Sequence, residues 1–297
     1  MKNEIPVIIS CDIDPTPEID HQERIRAFAS TIGLFSDFDC TATFFCVAAV
    51  AETFSSQLTT LVECGHEIGC HGLSHDETDE YGRLPEKEQQ RRLIEATEML
   101  TGVTGRPVLS FRGPRVKTSA VTQRILVDLG YRIDSSVCSQ RLDFVSSNLI
   151  NWGWIFAPRR PYTPSLTSPF RRGTRPLLVI PVSALGLPFI SSMLNTFGQR
   201  FTCFLFDLLY FESRKTGKPI VYLMHPGEFA WKSGQRPKQY SLKIEGIKQR
   251  RSPLIFEQNV EKRYNMHVEL FRHMTSRKNV RFMTMAEYEQ KYGDSYA

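Results

Sequence analysis

Eight short apolar runs alternate with seven amphipathic stretches along this chain, and no other feature constrains its fold as strongly. The strand-like runs cover 7–11, 42–47, 67–71, 108–111, 132–134, 178–182, 220–225 and 280–283. The helix-like stretches cover 21–35, 51–64, 86–100, 119–129, 199–216, 256–276 and 286–292. Strands that take turns with helices of this length pack as βα units, so the spacing predicts an α/β fold around a parallel sheet or barrel. In the stretch 86–100, Glu86 to Arg92 read as a solvated face, with Leu93, Ile94, Ala96 and Leu100 turned inward and Pro85 suited to the first helical position. No internal repeat or low-complexity linker interrupts the pattern. A single domain over residues 1–297 is therefore expected. One segment departs: 138–175 is rich in Pro, Arg, Ser and aromatics and reads as an elaborated functional loop.

Composition narrows the classes. With 41% hydrophobic and 23% charged residues, the chain is ordinary for a globular protein. A net charge of +5 is too small and scattered for a nucleic-acid footprint, and no nucleic-acid partner is expected. Local basic clusters, Arg159-Arg160, Arg171-Arg172 with Arg175, and Lys248 to Arg251, read either as solvated surface or as seats for phosphate or anionic lipid heads. Seven cysteines, none in a C-x-x-C pair and most within apolar runs, suggest buried reduced thiols and hence the cytoplasm. Met1-Lys2-Asn3-Glu4 leads straight into a strand, so no cleaved leader is expected. The uncharged stretch 177–197 contains Pro181, Gly186, Pro188 and Asn195 and is not expected to span a membrane as a helix.

Parallel α/β architectures build their sites where strands end. Asp12 and Asp14, His71, Arg112 and His225 all fall at such ends. Asp12 and Asp14 share one side of an extended strand, and two carboxylates so close repel unless a cation or a proton intervenes. A metal would resolve this, with one acid ligating and the other acting on water; a loop-capping pair before Pro15 is the structural alternative. His71 and His75 sit four residues apart and could chelate from one tight turn, although such a pair taken alone is ambiguous. Two imidazoles and a carboxylate form a common three-ligand set with one position left for water. Arg112, beside Gly113-Pro114, could hold a carboxylate bidentately or be an ordinary surface arginine at a turn, and His225 after an apolar strand could act as a general acid, although taken alone it reads first as a satisfied core histidine. His66 is expected to cap or hydrogen-bond. His21, His267 and His273 are expected to be structural.

Taken in order, Asp12-Ile13-Asp14, then Gly65-His66-Glu67-Ile68-Gly69-Cys70-His71-Gly72-Leu73-Ser74-His75, then Phe111-Arg112-Gly113-Pro114-Arg115, then Tyr222-Leu223-Met224-His225 resemble the polysaccharide deacetylases. This is the NodB-homology family, also called carbohydrate esterase family 4. Thr41 to Phe45, Leu129 to Ser136, Leu178 to Ser183 and Phe282 to Tyr288 are similar to the family's flanking strands. The resemblance implies a distorted (β/α) barrel of about seven parallel strands, as in the glycoside hydrolase/deacetylase folds. It also implies metal-dependent N- or O-deacylation of carbohydrates. By position it makes Asp14, His71 and His75 the metal ligands, Asp12 the general base, Arg112 its tether and His225 the general acid, with an oxyanion donor from the backbone near Arg115. The implied metal is zinc, with cobalt, nickel or iron also compatible.

Three departures bear on substrate. The acids are spaced D-x-D, which resembles the branch holding intracellular deacetylases, deformylases and cyclic-amide hydrolases. Arg115 stands where the family's aromatic usually follows its R-x-P signature, and is a candidate substrate contact. The acid-plus-Trp motif is only echoed at 148–152. Trp152 and Trp154, with Phe156 and Tyr162, are candidates for a sugar-stacking wall or for packing of the loop. The expected substrate is an N-acylated (acetyl or formyl) amino sugar, including a lipid- or phosphate-linked glycan intermediate. Small linear or cyclic amides are the alternative, and a non-catalytic carbohydrate-binding role ranks last because every catalytic position is filled. The apolar residues of 184–198 read either as a lid in peripheral contact with the membrane's inner face or as an ordinary buried strand and loop.

Overall fold

In the computed structural model, residues 4–76, 78–141, 152–230, 241–242, 250–251, 257 and 259–296 are described. Eight parallel strands form one curled sheet: β1 (Ile5–Ile13), β2 (Ala42–Cys46), β3 (Glu67–Cys70), β4 (Ser110–Phe111), β5 (Ile133–Asp134), β6 (Leu178–Val179), β7 (Ile220–Met224) and β8 (Val280–Phe282). The helices are α1 (His21–Asp37), α2 (Ser55–Glu63), α3 (Glu86–Thr104), α4 (Ala120–Asp128), α5 (Trp152–Phe156), α6 (Ser191–Thr216), α7 (Val260–Thr275) and α8 (Met285–Tyr292).

The sheet runs β8-β1-β2-β3-β4-β5-β6, and β7 joins β1 as well. The first strand thus pairs three others: β8 over Ile5–Val7, β7 over Val7–Cys11 and β2 over Ile9–Ile13. Beyond β6 the chain curls back to β7, where Ser183 N–H donates to Val221 O at 3.2 Å and Val221 N–H donates to Ser183 Oγ at 2.9 Å. This is the expected distorted barrel, with one strand more than expected because three residues of β8 lie along the start of β1. All nine residues of β1 are buried, which explains its nearly unbroken apolar run. Pro6 removes no ladder bond. Ile5 N–H and Val7 C=O make the contacts to the β8 side, and β7 begins to pair only at Val7.

The helices form where the sequence caps them. Asp20 Oδ1 accepts Gln22 N–H at 2.8 Å to start α1, Ser119 Oγ accepts Thr122 N–H at 3.0 Å to start α4, and Thr284 with Glu287 forms a capping box on α8. Some boundaries shift. Pro85 is the N-cap of α3, one residue before the expected first position. Ile94 is exposed, while Leu93, Ala96 and Leu100 face the core. A 3-10 turn (Ala48–Val50) precedes α2, and α7 starts at Val260.

Of the two readings of 184–198, a membrane-contacting lid or a buried strand and loop, the packing is closer to the second. Residues 184–188 make a tight hairpin, Ala184, Phe189, Met193 and Leu194 are buried, and Phe197 alone of the large apolar residues in this segment is exposed. Gly198, at φ +81°, breaks the helical path and the regular part of α6 follows it. All seven cysteines are free; Cys64 is exposed and Cys203 half-buried. No described helix is long and apolar enough to cross a membrane.

Candidate metal centre

A parallel sheet brings every strand's C-terminal end to the same side. Asp12 is the penultimate residue of β1 and Asp14 directly follows the strand; His71 directly follows β3, Arg112 follows β4, Ser135 follows β5 and His225 follows β7. The fold thus gathers residues distant in the chain: Asp14 Oδ2 lies 3.8 Å from His225 Nε2, 211 positions further on.

Asp14, His71 and His75 offer one ligand atom each, and those atoms all lie within 4.8 Å of one another. Asp14 Oδ1 is 3.4 Å from His71 Nε2 and 3.8 Å from His75 Nε2. That oxygen is buried and has no hydrogen-bond partner among the described residues. A buried carboxylate oxygen left bare, facing two imidazole nitrogens, is a costly arrangement unless a cation occupies the space between them. His71 Nδ1 sits 2.7 Å from the Arg112 carbonyl. A carbonyl only accepts, so Nδ1 carries the proton and Nε2 presents its lone pair to the cluster. Burial holds the His71 ring below its ordinary range against the pull of Asp12 and Asp14, which keeps it neutral as a ligand must be. The donor set therefore fits a divalent cation.

Asp12 occupies the next position inward. Its Oδ1 accepts from Arg112 Nη1 at 2.8 Å, and its Oδ2 lies 3.7 Å from His71 Nε2. Burial would raise the Asp12 carboxyl, but the adjacent Arg112 guanidinium, with His225 beyond it, outweighs burial and holds it below the usual carboxylate range. Arg112 is itself fully buried. It donates to Ser10 Oγ at 3.0 Å, Ser135 Oγ at 2.9 Å and Ser135 O at 3.2 Å, and its guanidinium lies 4.3 Å from the Phe45 ring centroid.

Across the cluster, His225 keeps 40% of its side chain exposed, the most open position of the group. Its Nδ1 is 3.3 Å from Glu228 Oε1. Glu228 also accepts from Ser191 Oγ and, at 2.9 Å, from Asn195 Nδ2. Burial opposes charge on His225, yet the Glu228 hydrogen bond together with Asp14 and Asp12 raises it to about 9. Burial likewise opposes charge on Glu228, but its bond to His225 draws it down to about 2. The two form a charged pair at neutral pH.

The loop carrying the histidines is held by Asp79, a residue the sequence reading passed over. Asp79 is completely buried, and its Oδ2 accepts three consecutive backbone N–H groups, from Leu73 at 3.1 Å, Ser74 at 3.0 Å and His75 at 2.9 Å. Its Oδ1 meets Arg92 Nη1 at 3.3 Å. His75 is thereby kept in the left-handed region at φ +57°, a conformation that costs a non-glycine residue energy. Gly72 sits at φ +80°, and a Cβ there would lie 2.8 Å from Asp79 Oδ2. Glu228, Ser10 and Ser135 were likewise not anticipated. An acid in the loop behind the histidine pair and a second one three residues after His225 were the available signals. Their burial was not.

The remaining candidates sit differently. Arg115, left-handed at φ +58°, donates to the Asp76 carbonyl at 3.3 Å and lies beside the histidine loop. Gly113 before it must be glycine, because a Cβ would come within 1.8 Å of Lys117 O. Trp154 is 3% exposed, packed with Val116, Val137 and Tyr162, and Tyr162 is fully buried. These two aromatics pack the loop and present no open stacking face; Phe156 is exposed. The Trp152 side chain, residues 148–151 and Lys248 to Arg251 as a basic cluster lie outside the described side chains. His66 Nδ1 accepts Ala42 N–H at 3.1 Å, as expected of a hydrogen-bonding histidine. His267 is buried and His273 pairs with Asp207, both structural.

Residues 19–133 match the family model described as polysaccharide deacetylase. A peptidoglycan deacetylase of Helicobacter pylori is 29% identical over 116 residues, a match spanning 37% of this chain and 39% of that protein. Among solved structures, a Mycobacterium smegmatis protein assigned to the polysaccharide deacetylases superposes with a TM-score of 0.67 at 16% identity, covering 99% of this chain and 92% of that one. The Puue allantoinase gives 0.65 at 17% identity, with the same coverage of 99% and 92%. At such identities the likeness concerns the fold.

Proposed function

We propose that this chain, whose residues 19–133 match the polysaccharide deacetylase family model, removes an N-acyl group, acetyl or formyl, from an amino sugar in a reaction dependent on a divalent cation. The observation that carries this reading is the bare, buried Asp14 Oδ1 facing His71 and His75, with Asp12 fixed beside it by Arg112. Asp14, His71 and His75 would hold the cation, and their donor set suits zinc, with cobalt, nickel and iron also compatible. When bound, such a cation acidifies water and draws electron density from an acyl carbonyl.

The chain's own residues supply the proton transfers. Ionised Asp12 is the base: it takes a proton from the water that adds its oxygen to the acyl carbon. Arg112 is a positioning residue, keeping Asp12 ionised and oriented. Protonated His225 is the acid: it delivers a proton to the nitrogen as the carbon–nitrogen bond breaks. Glu228 orients that ring and keeps it charged. Water is consumed, and a carboxylic acid and a free amine leave. A backbone N–H near Arg115 is the candidate donor to the carbonyl oxygen, and Arg115 a candidate substrate contact. A lipid- or phosphate-linked amino sugar is a candidate substrate, since the cationic Arg115 lies beside the histidine loop.

The test is hydrolysis of a panel of N-acetylated and N-formylated sugars, free and lipid-linked, alongside small linear and cyclic amides, with acetate, formate and ammonia measured separately and ring opening of the cyclic amides followed by loss of the intact ring. Chelation is expected to abolish turnover and added zinc to restore it. Undiminished turnover by an Asp14→Ala, His71→Ala double variant would overturn the reading.

A further inference from the structure

Helix α6 is apolar on two faces. Its inner face buries Leu205, Phe206, Leu209 and Tyr210 in the core. Its outer face carries Phe201, Phe204, Leu208 and Phe211, which recur every three or four residues and therefore lie along one side over about 15 Å. Phe204 is 59% exposed, Phe211 55% and Leu208 41%. Phe197 extends the row past the Gly198 break, its ring centroid 5.1 Å from that of Phe201. A helix hydrophobic all round belongs inside something, and exposed aromatics in a continuous row mark a surface that meets a partner.

Charge identifies the partner. Arg200 stands at one end of the row and Arg214 and Lys215 at the other, all exposed and without an ion pair to any described residue. The two acids on this part of the helix are already neutralised. Asp207 is paired with Arg277 at 2.8 Å and His273 at 3.0 Å, and Glu212 with Arg159 at 2.6 Å and Lys218 at 2.7 Å. The row is therefore bracketed by uncompensated positive charge. A second copy of the chain is a poor match: whether two such helices pair parallel or antiparallel about a two-fold axis, cationic ends meet cationic ends. An anionic lipid surface matches both components, since aromatic and leucine side chains enter the boundary of the acyl region and flanking Lys and Arg meet the headgroups. We propose that the outer face of α6 is a peripheral docking surface for an anionic bilayer. It replaces 184–198 as the membrane contact, because the apolar residues of that segment are mostly spent in the core.

The experiment uses the full chain with vesicles of phosphatidylcholine alone and with added phosphatidylglycerol, at low and high salt. The protein is expected to sediment with the anionic vesicles at low salt and stay in solution with the neutral ones. Phe204→Ser and Phe211→Ser should each weaken binding about tenfold. Arg200→Gln with Lys215→Gln, which touches no core residue, should weaken it and flatten its salt dependence. Hydrolysis of a soluble N-acyl sugar by these variants should equal that of the parent, so failure here is separable from failure of the catalytic reading. The proposal falls if the parent protein remains in the supernatant with both vesicles or if the variants bind as well as it does. It falls equally if sedimentation velocity shows a dimer that Phe204→Ser dissociates, which would make the row a self-interface.

Discussion

Arg112 is the residue on which the site geometry depends most. It has no exposed surface, and its guanidinium serves Asp12, Ser10 and Ser135 while its carbonyl fixes the His71 tautomer. Lysine cannot reproduce that planar fork. Arg112→Lys should lower kcat/KM by about 100-fold, roughly 2.7 kcal/mol of lost transition-state stabilisation, while zinc content measured by atomic absorption stays at the parent level. Asp79 makes a complementary case. It touches none of the proposed ligand atoms but holds the backbone of His75. Asp79→Asn keeps one accepting oxygen and loses the charge that meets Arg92. It should weaken zinc binding about 10–100-fold in a competition titration with a chromophoric chelator, and kcat at saturating zinc should change little. Equal zinc affinity in parent and variant would mean the loop is held by other contacts. Both residue types were visible in the sequence, yet only Arg112 stood out, because it ends a strand-like run beside Gly-Pro. Asp79 lies in a loop with several other acids, and nothing local distinguishes the one that turns inward.

At the scale of elements, His66 shows how a helix-to-strand junction is sealed. It precedes β3, accepts Ala42 N–H, and meets Phe35 and Phe44 edge-on with ring centroids 5.7 Å and 5.4 Å away. Burial lowers it to about 4 from an ordinary 6.5. The folded state therefore binds fewer protons than the unfolded chain between these values, and stability falls as pH drops from 6.5 towards 4. The loss approaches about 3 kcal/mol. Urea midpoints measured across that window should show the slope, and His66→Gln, which has no proton to take up, should flatten it. Most elements were legible: each of the eight expected strands and seven expected helices is present, while the short α5 and the 184–188 hairpin were not anticipated. Boundaries moved where a local device intervened, as at the Gly198 break and the 3-10 turn before α2.

For the whole molecule, the two ends of the curled sheet divide the labour. The C-terminal ends carry the candidate site. The opposite end is tied by Glu67, whose carboxylate accepts from Thr43 Oγ1 at 2.8 Å, from Ala286 N–H at 3.0 Å and from Ser110 Oγ. One side chain thus links β2, β4 and α8. Glu67→Ala would leave those donors without a partner and should lower stability by about 2–3 kcal/mol, seen as a fall in Tm of roughly 4–12 °C for a chain of this size. Turnover well below the transition should be unchanged, because no residue of the site is touched. The sequence by itself determined the α/β alternation, the strand ends where polar residues gather, and the identity of the two histidines and two acids, because these are properties of short segments with a fixed period. Tertiary structure alone decided that Asp79 and Glu228 turn inward beside the candidate site, that Trp154 is buried in the packing of its loop, and that the exposed apolar face belongs to α6. Each of these is a question of which side chain is buried against which, and that depends on segments brought together from distant parts of the chain.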